Sequence, residues 1–217
     1  MRKIGVFFGV LFALGIIGAL FGDDQTVTTS KTTDTEVVSS VDSTMPPAPT
    51  TTVPLVSNKQ FKAALAQTNV KNDDVEGKTW YRAKASPSYV NQNGFFLYIG
   101  KDAGGDPYFR FRIQYFGEEW LFINSFIINV DGVKYDIQPG SGELERDNNA
   151  SVWEWYDTNP SSSDIDMLRA ISKSQKTVVR MVGDQYHKDI IISSTQKRAL
   201  STMFTVYMGL GGTLDTF

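Results

Sequence analysis

Between Tyr108 and Ile137 the chain has its clearest pattern of apolar and polar positions. In Tyr108 to Phe116, Phe109, Phe111, Ile113 and Tyr115 alternate with Arg110, Arg112 and Gln114. Side chains of a strand point to opposite sides in turn, so the apolar set shares one face and the arginines the other. Leu121 to Val130 is apolar at nearly every position, the pattern of a central strand covered on both faces. Asp131-Gly132 separates that run from Val133 to Ile137. Asp-Gly between apolar runs signals a type I′ hairpin, because both central residues need positive φ. The stretch therefore predicts three sequential antiparallel strands in the middle of one sheet.

The flanking segments supply the rest. Ser57 with Gln60 three residues on is a capping box, and Phe61 and Leu65 give the helix that follows one apolar stripe. Asn69 to Gly77 is polar and reads as a loop. Lys78 to Ala83 and Gly94 to Gly100 read as strands, with Asp102 to Pro107 as a turn into the central stretch. After Ile137 comes a polar connection, and Ser151 to Tyr156 reads as a further strand. Ser162-Ser163-Asp164 opens a helix with Ile165, Leu168 and Ile171 on one side. Thr177 to Val182 and Tyr186 to Ile192 form a last pair of strands. Ser193 to Gln196 opens a C-terminal helix carrying Ala199, Leu200, Met203, Phe204 and Tyr207, which Gly209, Gly211 and Gly212 end. The predicted class is α+β, with one mostly antiparallel sheet and helices packed on one face.

Ahead of this domain the pattern changes twice. Arg2 and Lys3 precede an uncharged run of 18 residues from Ile4 to Phe21, closed by Asp23-Asp24. As a helix it spans roughly 27 Å against a hydrocarbon core of about 30 Å. Cleavage after Gly22 would put Leu20 at −3, and cleavage after Ala19 would put Ile17 there. Both are poor signal-peptidase sites, so residues 1–22 read as an uncleaved membrane anchor, the chain being secreted if the segment is removed. Basic residues before the span place the N-terminus in the cytoplasm and the rest outside, in a single-pass topology. Residues 23–57 hold ten Thr, five Ser, four Pro and no aromatic residue. That composition buries too little to offset the cost of ordering, and it reads as a disordered spacer. Residues 58–217 are then the extracytoplasmic α+β domain.

Composition narrows the chemistry. From Asn58 onward 18 basic residues face 19 acidic ones, which gives no footprint for nucleic acid. With no Cys and one His, disulfides, thiolate nucleophiles and multi-His metal sites are excluded. No cofactor or metal is expected.

Four constellations stand out. Arg110 and Arg112 point the same way from one strand, either into cross-strand ion pairs with Glu154 or Asp189, or as an anion clamp. Among the aromatics, Trp153 and Trp155 share a face with Glu154 between them on the other. Exposed, they form a platform for a sugar or peptide; as a sheet needs one apolar face, core is the expectation. Trp120, beside Glu118-Glu119 in a turn, is the aromatic expected to be exposed. His187 and Asp189 share a strand face near Asp184, the partners of a Ser-His-Asp hydrolase. However, Gly140-Ser141-Gly142 has the wrong spacing for a nucleophile elbow. Glu118 with Glu119 and Glu143 with Glu145 are carboxylate pairs of the kind a glycosidase needs across a cleft, or simply solvated loop residues.

Thr79-Trp80-Tyr81, Phe109-Arg110-Phe111-Arg112, Trp120-Leu121-Phe122-Ile123, Val152-Trp153-Glu154-Trp155-Tyr156-Asp157 and Gln196-Lys197-Arg198-Ala199-Leu200 together resemble a small extracytoplasmic domain of uncharacterised bacterial and phage-borne proteins. The resemblance covers about Lys78 to Met208. It implies one domain of bacterial or phage origin and carries over no activity, ligand or catalytic residue. The combined expectation is a membrane-tethered extracytoplasmic module of the cell envelope, binding or structural rather than enzymatic. Its ligand-binding set is Arg110, Arg112, Trp120 and Glu154, and its partner an envelope protein or glycan. An envelope hydrolase acting on glycan or peptide, and a phage- or prophage-linked interference protein at the cell surface, are the alternative readings.

Overall fold

Each of the three helices among the described residues begins on a serine whose side chain caps it. In the computed structural model, which describes residues 56–214, the helices are α1 (Asn58–Leu65), α2 (Ser162–Lys173) and α3 (Ser194–Gly209). Their caps, Ser57, Ser161 and Ser193, each complete a capping box, with Gln60, Asp164 and Gln196 respectively. Such caps satisfy amide groups that the first turn leaves unpaired, at about 1 kcal/mol each. Val56, near the end of the predicted linker, is buried. The predicted anchor at 1–22 and the predicted spacer as far as residue 55 lie outside the described residues. Among the described residues no helix is long and apolar enough to cross a membrane.

The α+β class is as predicted, but the strands divide between two antiparallel sheets. The strands are β1 (Thr68–Asp73), β2 (Lys78–Ala83), β3 (Gly94–Asp102), β4 (Pro107–Gly117), β5 (Ser125–Val130), β6 (Val133–Ile137), β7 (Leu144–Asn148), β8 (Val152–Thr158), β9 (Thr177–Val182) and β10 (His187–Ile191). The larger sheet has the order β1-β2-β3-β4-β8-β7, the smaller β10-β9-β5-β6. The central stretch is thus split. β4 pairs with β3 and β8 in the larger sheet, while β5 and β6 form their hairpin in the smaller one. That hairpin has the turn expected of Asp-Gly: Asp131 at φ 49° and Gly132 at φ 99°, with Val130 opposite Val133.

Two strands go unpredicted, and both are edges. β1 and β7 are polar and mostly exposed. They join the sheet through backbone pairing with β2 and β8, so no apolar alternation marks them. The inner face of the larger sheet carries Phe95, Leu97, Ile99, Phe109, Phe111 and Ile113, none more than 1 % exposed. On this face α3 packs: Phe109 stacks on Tyr207 at 4.1 Å and meets Phe204 edge-on at 5.6 Å. Tyr156 joins the two sheets by touching Phe111 and Phe126. β5 buries only one face, with Phe126, Ile128 and Val130 inward and Ile127 and Asn129 outward. The expectation of cover on both faces does not hold.

Leu121 to Asn124, predicted as strand, is instead an irregular crossover between the sheets. Three of its backbone amides are held by one side chain. The Glu154 carboxylate, fully buried, accepts N–H bonds from Leu121, Phe122 and Ile123 at 2.7–2.9 Å. Phe122 takes a left-handed conformation, φ 53°, which turns successive amides toward one point, as in backbone nests that hold anions. Arg146 completes the site, donating Nε to Glu154 and a second N–H to the Ile123 carbonyl. The turn after β9 packs directly on this crossover. A Cβ on Gly183 would lie 2.0 Å from the Leu121 carbonyl oxygen, so only glycine fits there.

Candidate functional site

The outer face of the larger sheet is where chemistry-bearing side chains gather. α3 lies on the opposite face, with α1 and α2 against α3. Strand alternation and register set the outer rows. Arg82, Tyr98 and Arg110 lie across β2, β3 and β4, and Phe96, Arg112 and Asp157 across β3, β4 and β8. Trp80 and Tyr108 pack beside them, as does Trp155, over whose ring the Arg112 guanidinium lies at 5.0 Å. Every one of these but Phe96 is half-buried, and Phe96 is buried.

Asp157 organises this face. Its carboxylate accepts from Arg110 at 2.7–2.9 Å, from Arg112 at 3.3 Å and from the Tyr98 hydroxyl at 2.8 Å. One anion therefore serves two guanidinium groups, and the cluster keeps a net positive charge. Burial would depress the Arg110 guanidinium, but the Asp157 charge and the hydrogen bonds of Tyr98 and Asp157 outweigh it and raise its pKa. The Tyr98 phenol is pushed up to about 12, chiefly by burial and then by the neighbouring Asp157 charge.

That shift gives a pH prediction. Tyr98 ionises at a higher pH folded than unfolded, so the unfolded chain sheds the proton first and stability falls as pH rises. The loss begins near pH 10 and is complete by about pH 12, at about 2–3 kcal/mol. Urea unfolding at stepped alkaline pH measures it. Tyr98→Phe is expected to lose this share of the slope, and an unchanged slope would refute the assignment.

Beside this cluster lies a concavity of about 310 Å³, between the sheet and the segment before β3. Arg82 and Arg112 line it together with Phe96, Tyr98, Ser88 and Tyr89, and no carboxylate does. Buried Gln114 fixes its wall. Its amide N–H groups donate to the carbonyls of Tyr89 and Gln92, and its oxygen accepts from Arg112. Asn93 adds a bond from the Phe116 amide.

A larger concavity, about 450 Å³, lies on the outer face of the smaller sheet over Ile127 and Val178. Its charged lining is mixed, with Lys134, Lys176 and Arg180 beside Asp131 and Asp189. Arg180 and Asp189 satisfy each other through two bonds of 2.7 Å, and Asp131 accepts the amides of Gln175 and Lys176. The first site is the better candidate, because arginines and aromatic rings line it together and no carboxylate does.

The predicted residues fall as follows. Arg110 and Arg112 share the candidate face, paired with Asp157 and not with Glu154 or Asp189. Glu154 is not available to a ligand: it points into the core and holds the crossover, because it alternates with Val152 and Tyr156 on the inner face. Trp153 and Trp155 consequently lie on the outer face, half-buried, and not in the core. Trp120 is packed against the core and stacked on Phe122 at 5.8 Å, away from the arginines. His187 is exposed on β10, and its neighbour Asp189 is held by Arg180. Glu143 serves the turn at Gly140 and the Thr158 hydroxyl. Arg82, Tyr98 and Asp157 went unnoticed. The signal for Asp157 was the alternation of Trp153 and Trp155 continued by one more position; for Arg82 it was the same alternation from Trp80. Comparison with family models, curated proteins and solved structures returned no match.

Proposed function

We propose that this protein is a membrane-tethered extracytoplasmic binding module of the cell envelope, which engages its ligand through the outer face of the larger sheet. The observation that carries the binding role is that face itself: Trp80, Tyr98, Tyr108 and Trp155 interleaved with Arg82, Arg110 and Arg112, opposite the face on which α3 packs. Rigid aromatic rings and Arg are the side chains that dominate binding surfaces, since they offer large contact area at small entropic cost. The tether rests on the uncharged run Ile4 to Phe21 and the Thr/Ser/Pro-rich spacer that follows.

Two measurements test this. Protease added outside intact cells is expected to remove residues beyond the anchor while leaving cytoplasmic proteins whole; protection would overturn the topology. The full-length chain in detergent is expected to be retained on an immobilised panel of envelope glycans, and Trp80→Ala and Trp155→Ala are expected to weaken retention by about tenfold each. Retention that both variants leave unaltered would rule out this face.

A further inference from the structure

The concavity beside the Asp157 cluster has a more specific chemistry than the face around it. Arg82 makes no ion pair or side-chain hydrogen bond among the described residues, although it is half-buried. Arg112 uses one terminal nitrogen on Asp157 and Nε on Gln114. The two arginines stand on β2 and β4, on either side of β3, whose Phe96 and Tyr98 form the floor between them. A concavity lined by one sign of charge concentrates its field on whatever enters. A planar guanidinium matches a carboxylate better than it matches a neutral group. At about 310 Å³ the space is at the small end of ligand sites, of about 300–1,000 Å³. It suits one ring and its substituents. The floor is aromatic, and Ser88 and Tyr89 add hydroxyl-bearing side chains to the lining, which fits a ring with apolar C–H faces and a hydroxylated edge.

We infer that this concavity binds a carboxylate-bearing sugar of the uronic-acid type, its carboxylate between Arg82 and Arg112 and its ring against Phe96 and Tyr98. The inference rests on the reading of the outer sheet face as the binding surface. Gln114 and Asn93 hold the wall in place before the ligand arrives, so little ordering cost accompanies binding.

The test is calorimetric titration of the full-length chain in detergent with short oligosaccharides of glucuronic acid. Controls are neutral glucose oligosaccharides of equal length, benzoate and inorganic phosphate. The uronate is expected to bind at least about tenfold more tightly than each control, and its affinity to fall with added salt. Arg82→Met is expected to reduce that affinity by about tenfold or more without moving the melting temperature, since Arg82 holds nothing else in place; Arg82→Lys is expected to restore part of it. Equal binding of the neutral sugar, or an unaltered affinity in Arg82→Met, overturns the inference. Phosphate or benzoate binding as tightly as the uronate overturns the sugar assignment. If glycan retention depends on Trp155 but not on Arg82, the sheet face stands as the binding surface and this ligand class falls. If retention depends on neither, both fall.

Discussion

Replacing Glu154 with alanine is expected to destabilise the protein by about 3–5 kcal/mol, enough to unfold much of the population of a small domain. The carboxylate is fully buried and is the acceptor for three successive backbone amides and the Arg146 guanidinium. Alanine leaves those amides without their acceptor, and each unmet buried donor costs about 1–3 kcal/mol. It also removes the reason for Phe122 to keep its left-handed conformation, which costs about 1–2 kcal/mol in a non-glycine residue. Arg146→Ala is expected to cost much less, because its side chain is 36 % exposed and Glu154 keeps its three amides. Urea unfolding followed by tryptophan fluorescence measures both. A loss under about 1 kcal/mol in Glu154→Ala would show that the crossover does not depend on this carboxylate.

The second large effect is expected at Phe109. It is 1 % exposed on the inner face of β4, stacked on Tyr207 and edge-on to Phe204. Phe109→Ala removes the ring around which α3 seats on the larger sheet, and truncation of a buried Phe to Ala costs about 3–5 kcal/mol. Phe109→Leu keeps most of the volume and is expected to cost about 1–1.5 kcal/mol. Arg110→Ala, the next residue on the same strand, points outward and is 28 % exposed in its side chain, so its cost is expected to be smaller than that of Phe109→Ala. If Arg110→Ala were the more damaging of the two, the assignment of inner and outer faces would be reversed.

Some of the architecture was legible because it is written locally. The capping serines Ser57 and Ser193, the Asp-Gly turn and the apolar stripe of α3 each depend on residues a few positions apart, and each stands as read. The alternation of β4 also carried through: Phe109 and Phe111 are buried and Arg110 and Arg112 face outward. The candidate site was half legible. Arg110 and Arg112 were found by that alternation, but Asp157, 45 residues beyond Arg112, meets them only through the register of β8 on β4. The error over Glu154 and its tryptophan neighbours has a single cause. Alternation divides Val152, Glu154 and Tyr156 from Trp153 and Trp155 without saying which set faces inward. The larger aromatic area argued for the tryptophans; the need of the crossover amides for an acceptor decided for Glu154.

By itself, then, the amino-acid sequence determined most of the elements, though not the polar edge strands β1 and β7 nor the crossover at Leu121 to Asn124, and it determined which residues of each strand share a face, because those follow from backbone geometry within one element. It determined also that the chemistry would use neither thiols nor histidine clusters. Only the tertiary structure decided that the strands divide between two sheets, that a buried carboxylate holds the crossover from one to the other, and that Arg82, Arg112 and Tyr98 line one concavity. These depend on which distant segments pair, and pairing is set by contacts between residues far apart in the chain, where no local pattern reaches.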